Sequence, residues 1–181
     1  MKIEETIKQR AKKIRLALFD VDGVLTDGNI HIDANGKEVK TFNTQDGHGI
    51  RLLQHYGIKV GVITGRSSEA LMHRMHDLDV EYVYQGSIDK HKVYQSLLKQ
   101  LGLSTEQTSF VGDDIVDLQV MSQCGLSIAV ANAHDFVKQH AHWQTTKSGG
   151  AGAVREVCEL LLDAQGLLEE ALNYNLRPSK N

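Results

Sequence analysis

The stretch LALFDVDGVLTDG, Leu16 to Gly28, decides the fold. Its first four residues, Leu16-Ala17-Leu18-Phe19, form a continuous apolar run of the kind that makes a central strand buried on both faces. The run stops at two acids, Asp20 and Asp22, and Gly23 follows, a residue that lets the backbone turn sharply away from a sheet. Carboxylates placed where the chain leaves a sheet can turn their oxygens into a cleft, so the stretch predicts a central strand and a place for chemistry together.

The same punctuation recurs outward from it. Lys59-Val60-Gly61-Val62-Ile63 ends in Thr64-Gly65-Arg66; Glu81-Tyr82-Val83-Tyr84 runs out toward Gly86, with Lys90 just beyond; Ser109-Phe110-Val111 ends in Gly112-Asp113-Asp114, with Asp117 close behind. Ser127 to Val130 is the fifth run, with which the sheet is predicted to be complete. Between the runs, apolar residues return at helical spacing: over 46–56 with Gly57 as the stop, after a cap at Ser67 or Ser68, over 92–101 closed by Gly102, through Leu118 and Met121, and over 135–140 and 154–164. Ile3, Ile7 and Ala11 predict an amphipathic helix over 2–13. Strands alternating with helices argue for a parallel sheet covered on both faces, an α/β Rossmann-like three-layer sandwich. One interruption falls at 28–42, where Asn35-Gly36 between two extended segments predicts an inserted β-hairpin rather than a large cap domain. No linker, repeat or low-complexity tract divides the chain, so 1–181 is read as one domain, with 165–181 expected to be a flexible tail.

In an open parallel sheet the carboxyl ends of the strands share one edge, and ligands bind there. Asp20, Thr64, Lys90 and Asp113 each follow a different predicted strand, and together they are the parts of a phosphoryl-transfer site. Asp20, Asp113 and a nearby carbonyl suit a hard cation such as Mg2+. One aspartate can attack phosphorus, a second acid can move the proton, and a hydroxyl and an ammonium can hold the transferring group. Asp114 and Asp117 fit either a supporting place near the metal or capping of the following helix. The glycine-rich 149–152 segment reads as a linker or as the lead-in to an anion-binding helix N-terminus.

Composition sets the outer bounds. The 181 residues are 41% hydrophobic and 24% charged, ordinary for a globular domain, and the net charge of −3 offers no basic footprint for nucleic acid. The charged first residues lack the apolar centre of a signal peptide and no apolar run is long enough for a bilayer, so a cytoplasmic protein is expected. Cys124 and Cys158 are read as core residues, and the nine histidines form no complementary metal cluster.

DVDGVLTDG, ITGR, the lysine of GSIDK and GDDIVD resemble the four ordered motifs of the haloacid dehalogenase-like superfamily, whose phosphatases use an aspartate nucleophile and Mg2+. The resemblance implies Asp20 as nucleophile and metal ligand, Asp22 as general acid/base lending its backbone carbonyl to the metal, Thr64 and Lys90 on the phosphoryl oxygens, and Asp113 as the remaining metal ligand. The hairpin in place of a cap, the loop FNTQDGHGIRLL and the segment SGGAGAVRE resemble more narrowly the 3-deoxy-D-manno-octulosonate 8-phosphate phosphatases. That likeness implies hydrolysis of the eight-carbon acid sugar phosphate through an aspartyl phosphate, in lipopolysaccharide precursor synthesis, by a homotetramer whose hairpins and tails help enclose the sites. Substrate contacts would fall on Asn43, Thr44, Gln45, Asp46 and Gly47, and on Arg51, Arg66, Arg74 and Lys90. Guanidinium suits a substrate with both a phosphate and a carboxylate. Ile30 and Ile32 are expected to face a neighbouring subunit, against the alternative that the hairpin packs on its own sheet. The rival readings are a phosphatase for a nine-carbon acid sugar phosphate and a non-catalytic oligomerisation module of the same fold.

Overall fold

The structure is a computed structural model that describes residues 3–173. Helix α1 (Glu5–Lys12) buries Ile7 and Ala11 and leads into β1 (Leu16–Phe19), whose four residues are fully buried. At roughly 2 kcal/mol for each large apolar side chain taken from water, this strand anchors the core. The hairpin strands β2 (His31–Ile32) and β3 (Glu38–Val39) pair antiparallel as a small sheet of their own. Then come α2 (Thr44–His55), β4 (Lys59–Ile63), α3 (Glu69–Asp77), β5 (Tyr82–Tyr84), α4 (Lys90–Leu101) and β6 (Thr108–Gly112). The chain closes with α5 (Leu118–Met121), β7 (Leu126–Ala129), α6 (Asp135–His140), β8 (Trp143–Gln144), α7 (Ala153–Ala164) and α8 (Leu168–Asn173).

The main sheet has the order β5-β4-β1-β6-β7-β8, with every pairing parallel. The chain builds outward from β1 to β5 on one side, then returns across β1 to build the other side from β6. Strand order therefore reverses at β1, and the crevice expected at such a reversal lies beyond the carboxyl ends of β1, β4 and β6. Six strands form the sheet where the sequence predicts five. The extra one, β8, spans two residues, too few to show any periodicity.

Helix starts also move by a few residues, because caps outrank apolar spacing. Asn43 Oδ1 accepts from the Gln45 and Asp46 amides and starts α2 ahead of Asp46, while Asp89 accepts from Lys92 N at 2.9 Å and starts α4 at Lys90. Beyond α7 the chain forms α8, with Ala171 buried, where a flexible tail is expected from 165; the rest of that expected tail lies outside the described residues. Among the described residues, no helix is long and apolar enough to cross a membrane.

Candidate active site

The carboxyl edge of the sheet carries a cleft of about 440 Å³ that Asp20, Asp22, Thr64, Arg66, Lys90 and Asp113 help to line. Asp20 enters it directly from β1, and its amide donates to Val111 O at 2.9 Å, which keeps it in register with β6. Lys90, the first residue of α4, points its ammonium to Asp20 Oδ1 at 2.6 Å and to Asp117 Oδ1 at 2.7 Å. Its side chain is 4% exposed, and a buried ammonium needs such partners. Burial works against its charge, but Asp20 and Asp117 outweigh it and hold the lysine above its ordinary pKa. Thr64 is buried at the end of β4, where its hydroxyl accepts from Arg66 N at 3.3 Å.

Asp117 is fully buried, and its two oxygens are divided between Lys90 and the amides of Asp113 and Asp114, at 2.9 and 3.2 Å. Gly112 makes room for it, since a Cβ there would meet the Asp117 carboxylate at 2.6 Å. Asp117 thus shapes the 112–114 turn. Asp114, exposed, caps the following 3-10 turn through Ile115 N at 2.7 Å. Asp114 thus takes the capping alternative, while Asp117 does both, closing the capping box and standing beside Lys90, Asp20 and Asp113.

Asp113 and Asp20 are less well compensated. Burial, then Asp117, pushes Asp20 up to about 7 against the pull of Lys90, and burial with Asp117, Asp20 and Asp114 pushes Asp113 up to about 7. A carboxylate oxygen from each of Asp20, Asp113 and Asp117 lies within 4.8 Å of the others. Because Asp117 is already engaged, Asp20 and Asp113 are the pair that a divalent cation would relieve. The backbone is shaped to allow it: Gly23 has φ +91°, and a Cβ there would overlap Asp113 Oδ2. This crowded oxygen-only donor set fits a hard cation.

Asp22 faces the hairpin. Lys40 Nζ bonds Asp22 Oδ1 and lies 3.4 Å from Glu38 Oε1, while Arg66 donates to Glu38 Oε1 at 2.8 Å and sits 3.7 Å from Asp22 Oδ2. Sequence reasoning missed Lys40 and Glu38. Glu38 and Lys40, two apart, turn the same way and Val39 the other, but β3 spans only Glu38–Val39, too short for that alternation to signal them. The hairpin is accordingly charged inward and apolar outward, with Ile30, Ile32 and Val39 all more than half exposed. It does not lay its apolar side on its own sheet.

The remaining predicted substrate residues fall outside the cleft lining. Asp46, 1% exposed, accepts from Gly152 N at 3.3 Å and Arg155 N at 2.7 Å and so caps α7, which means the anion expected at that helix N-terminus is the chain's own carboxylate. Burial raises its pKa above the ordinary value against those bonds. Arg74 donates to Asn43 O at 3.4 Å across Gly47, where a Cβ would overlap its guanidinium. Asn43 reaches Gly150 O at 3.4 Å, and Gly149 and Gly150 wedge against Gly23 and Thr26, which ties this cluster to the cleft wall. Thr44 and Gln45 are exposed. Arg51 is not brought to the cleft: its guanidinium rests on Asp77 O and lies 3.6 Å from Asp79.

Residues 80–157 match the family model described as haloacid dehalogenase-like hydrolase. The chain is 45% identical to the 3-deoxy-D-manno-octulosonate 8-phosphate phosphatase of Yersinia pestis, over 96% of this chain and 93% of that one. The crystal structure of a Yersinia pestis enzyme of that name superposes with a TM-score of 0.91 at 47% identity, covering 92% of this chain and 90% of the other. The Moraxella catarrhalis enzyme, solved with magnesium, phosphate and KDO, gives a TM-score of 0.93 at 39% identity, covering 97% and 100%. With its six-stranded parallel sheet and strand-end acids, the chain belongs to the 3-deoxy-D-manno-octulosonate 8-phosphate phosphatase family of haloacid dehalogenase-like hydrolases.

Proposed function

We propose that the chain hydrolyses 3-deoxy-D-manno-octulosonate 8-phosphate to the free eight-carbon acid sugar and phosphate, with Mg2+ as cofactor. The observation that carries this reading is the crowded Asp20 and Asp113 pair under Gly23, which the single ammonium of Lys90 compensates only in part, with Thr64 at the same sheet edge. Asp20, Asp113 and the Asp22 backbone carbonyl would hold the cation, which supplies charge neutralisation for a phosphate approaching two carboxylates.

In the forward step an Asp20 carboxylate oxygen forms a bond to phosphorus while the bond from phosphorus to the sugar oxygen breaks, and Asp22 gives that oxygen its proton. Water then attacks the aspartyl phosphate, Asp22 takes the water's proton, and the bond from Asp20 to phosphorus breaks to release phosphate. Lys90 and Thr64 hold the transferring oxygens throughout. Arg66, half exposed at the cleft, would meet the sugar's carboxylate. The deciding assay is phosphate release from the eight-carbon substrate beside a nine-carbon acid sugar phosphate, each with and without Mg2+. Preference for the eight-carbon compound supports the reading; preference for the nine-carbon one, or release independent of Mg2+, overturns it.

The reading extends to a homotetramer. Ile30, Ile32 and Val39 on the hairpin and Ile88 at the cleft mouth are exposed apolar residues around a site that has no lid of its own, and a second copy would cover them. Light scattering tests this, and a fully active monomer would overturn it. Two free, buried cysteines fit a reducing, cytoplasmic setting, and lipopolysaccharide precursor synthesis is the pathway this substrate implies.

A further inference from the structure

The geometry points to Lys40 as a positioning residue that fixes Asp22 for proton transfer, and this inference rests on the phosphatase reading above. Asp22 sits in a loop whose own bonds do not hold its side chain: Gly23 N and Gly28 N both turn to Thr26 Oγ1, at 3.3 Å. What holds the Asp22 carboxylate comes from elsewhere. Lys40, reaching in from the end of the hairpin, bonds Oδ1. Oδ2 is buried without a hydrogen-bond partner among the described residues, with Arg66 Nε the nearby cation at 3.7 Å.

The two oxygens therefore differ in kind. One is taken by an ammonium on a side chain that is 4% exposed, and the other is buried with no hydrogen-bond partner, on a residue that lines the cleft. A carboxylate free to rotate about χ2 would hold no fixed plane toward the leaving group; the bond to Lys40 fixes that plane. Glu38 completes the arrangement by lying near Lys40 and accepting from Arg66. With Asp22 ionised, as it is once it has given its proton, two anions and two cations close a neutral ring, so Lys40 can be buried beside it. Because Glu38 and Lys40 both belong to the hairpin, a surface insertion with strands only two residues long reaches the residue that moves the proton.

A group that positions a general acid matters when the leaving oxygen needs a proton and matters little when it does not. The test is kcat/KM for the sugar phosphate, whose leaving group is an alkoxide, against p-nitrophenyl phosphate, whose leaving group is already stable. Lys40→Met and Lys40→Gln both carry it, so a folding failure in one leaves the other. The expected result is a fall of roughly 30- to 100-fold for the sugar phosphate, with p-nitrophenyl phosphate within about threefold of wild type, and substantial recovery of the sugar phosphate rate in Lys40→Arg. Equal losses on both substrates, or none on either, would overturn the role of Lys40. The control Asp20→Asn separates the two claims: if it is inactive on both substrates while the Lys40 variants match wild type, only this inference falls. If Asp20→Asn keeps its activity, the phosphatase reading falls and takes this inference with it.

Discussion

A single buried acid, Asp46, and a crowded acid cluster, Asp20 with Asp113 and Asp117, are built differently. At the N-terminus of α7, Asp46 divides its oxygens between two backbone amides; at the carboxyl edge of the sheet, Asp20 and Asp113 crowd together with Asp117 and share a single nearby ammonium. Asp46 is 1% exposed, yet it is held by hydrogen bonds and works as a cap. Asp20 and Asp113 are each driven up to about 7 by burial and by neighbouring acids. Burial alone does not mark a site. A charge left without enough compensation does, because only an incoming cation or substrate completes it.

The difference can be attacked from both sides. Asp20→Asn keeps shape and removes the proposed nucleophile, so turnover of the sugar phosphate with Mg2+ should fall on the order of a thousandfold or more, read as kcat on protein with a wild-type circular dichroism spectrum. Gly23→Ala pushes a methyl group into Asp113 and strains a backbone of φ +91°, and Mg2+ affinity should weaken roughly 10- to 100-fold by titration calorimetry.

A third expectation concerns pH. Asp20 and Asp113 sit near 7 when folded against 3.8 when unfolded, so between those values the folded chain binds more protons and its stability falls as pH rises. A cation binds the deprotonated pair and reverses that loss. Saturating Mg2+ should therefore raise the melting temperature by several degrees at pH 8 and clearly less at pH 5.5. The smallest effect belongs to the satisfied carboxylate: Asp46→Ala should cost about 1–2 kcal/mol in urea unfolding through the lost α7 cap, with Mg2+ affinity unchanged.

Much of this was legible in the sequence because strands buried on both faces advertise themselves. Leu16 to Phe19, Val60 to Ile63 and Phe110 to Val111 are unbroken apolar runs, and the polar residue ending each one had to fall on the edge where ligands bind. Asp20, Thr64 and Asp113 could be placed on that argument alone. Lys90 could be placed near the edge, but its aim depends on Asp89 starting α4 there, a cap that apolar spacing does not show. Asp46 was drawn in as a substrate residue by the resemblance, and its cap partners, Gly152 and Arg155, lie more than a hundred residues away, out of reach of sequence spacing. Lys40 and Glu38 stayed hidden for another reason: β3 spans two residues, too short for alternation to stand out, and the inward face of this hairpin is its charged one. Arg51 was drawn in by the resemblance and is spent on the end of α3. What sequence could not supply was which buried acid had been answered and which had not.

The central claim is that Asp20 is the acid left for chemistry, and the most direct measurement looks for phosphorus on it. Protein turning over the sugar phosphate with Mg2+ is quenched in acid, digested and read by peptide mass spectrometry. The account predicts that the peptide containing Asp20, and no other, becomes heavier by one phosphoryl group, and that Asp20→Asn shows none. A phosphoryl group on a different residue, or an Asp20→Asn protein that still releases phosphate at the wild-type rate, would contradict it.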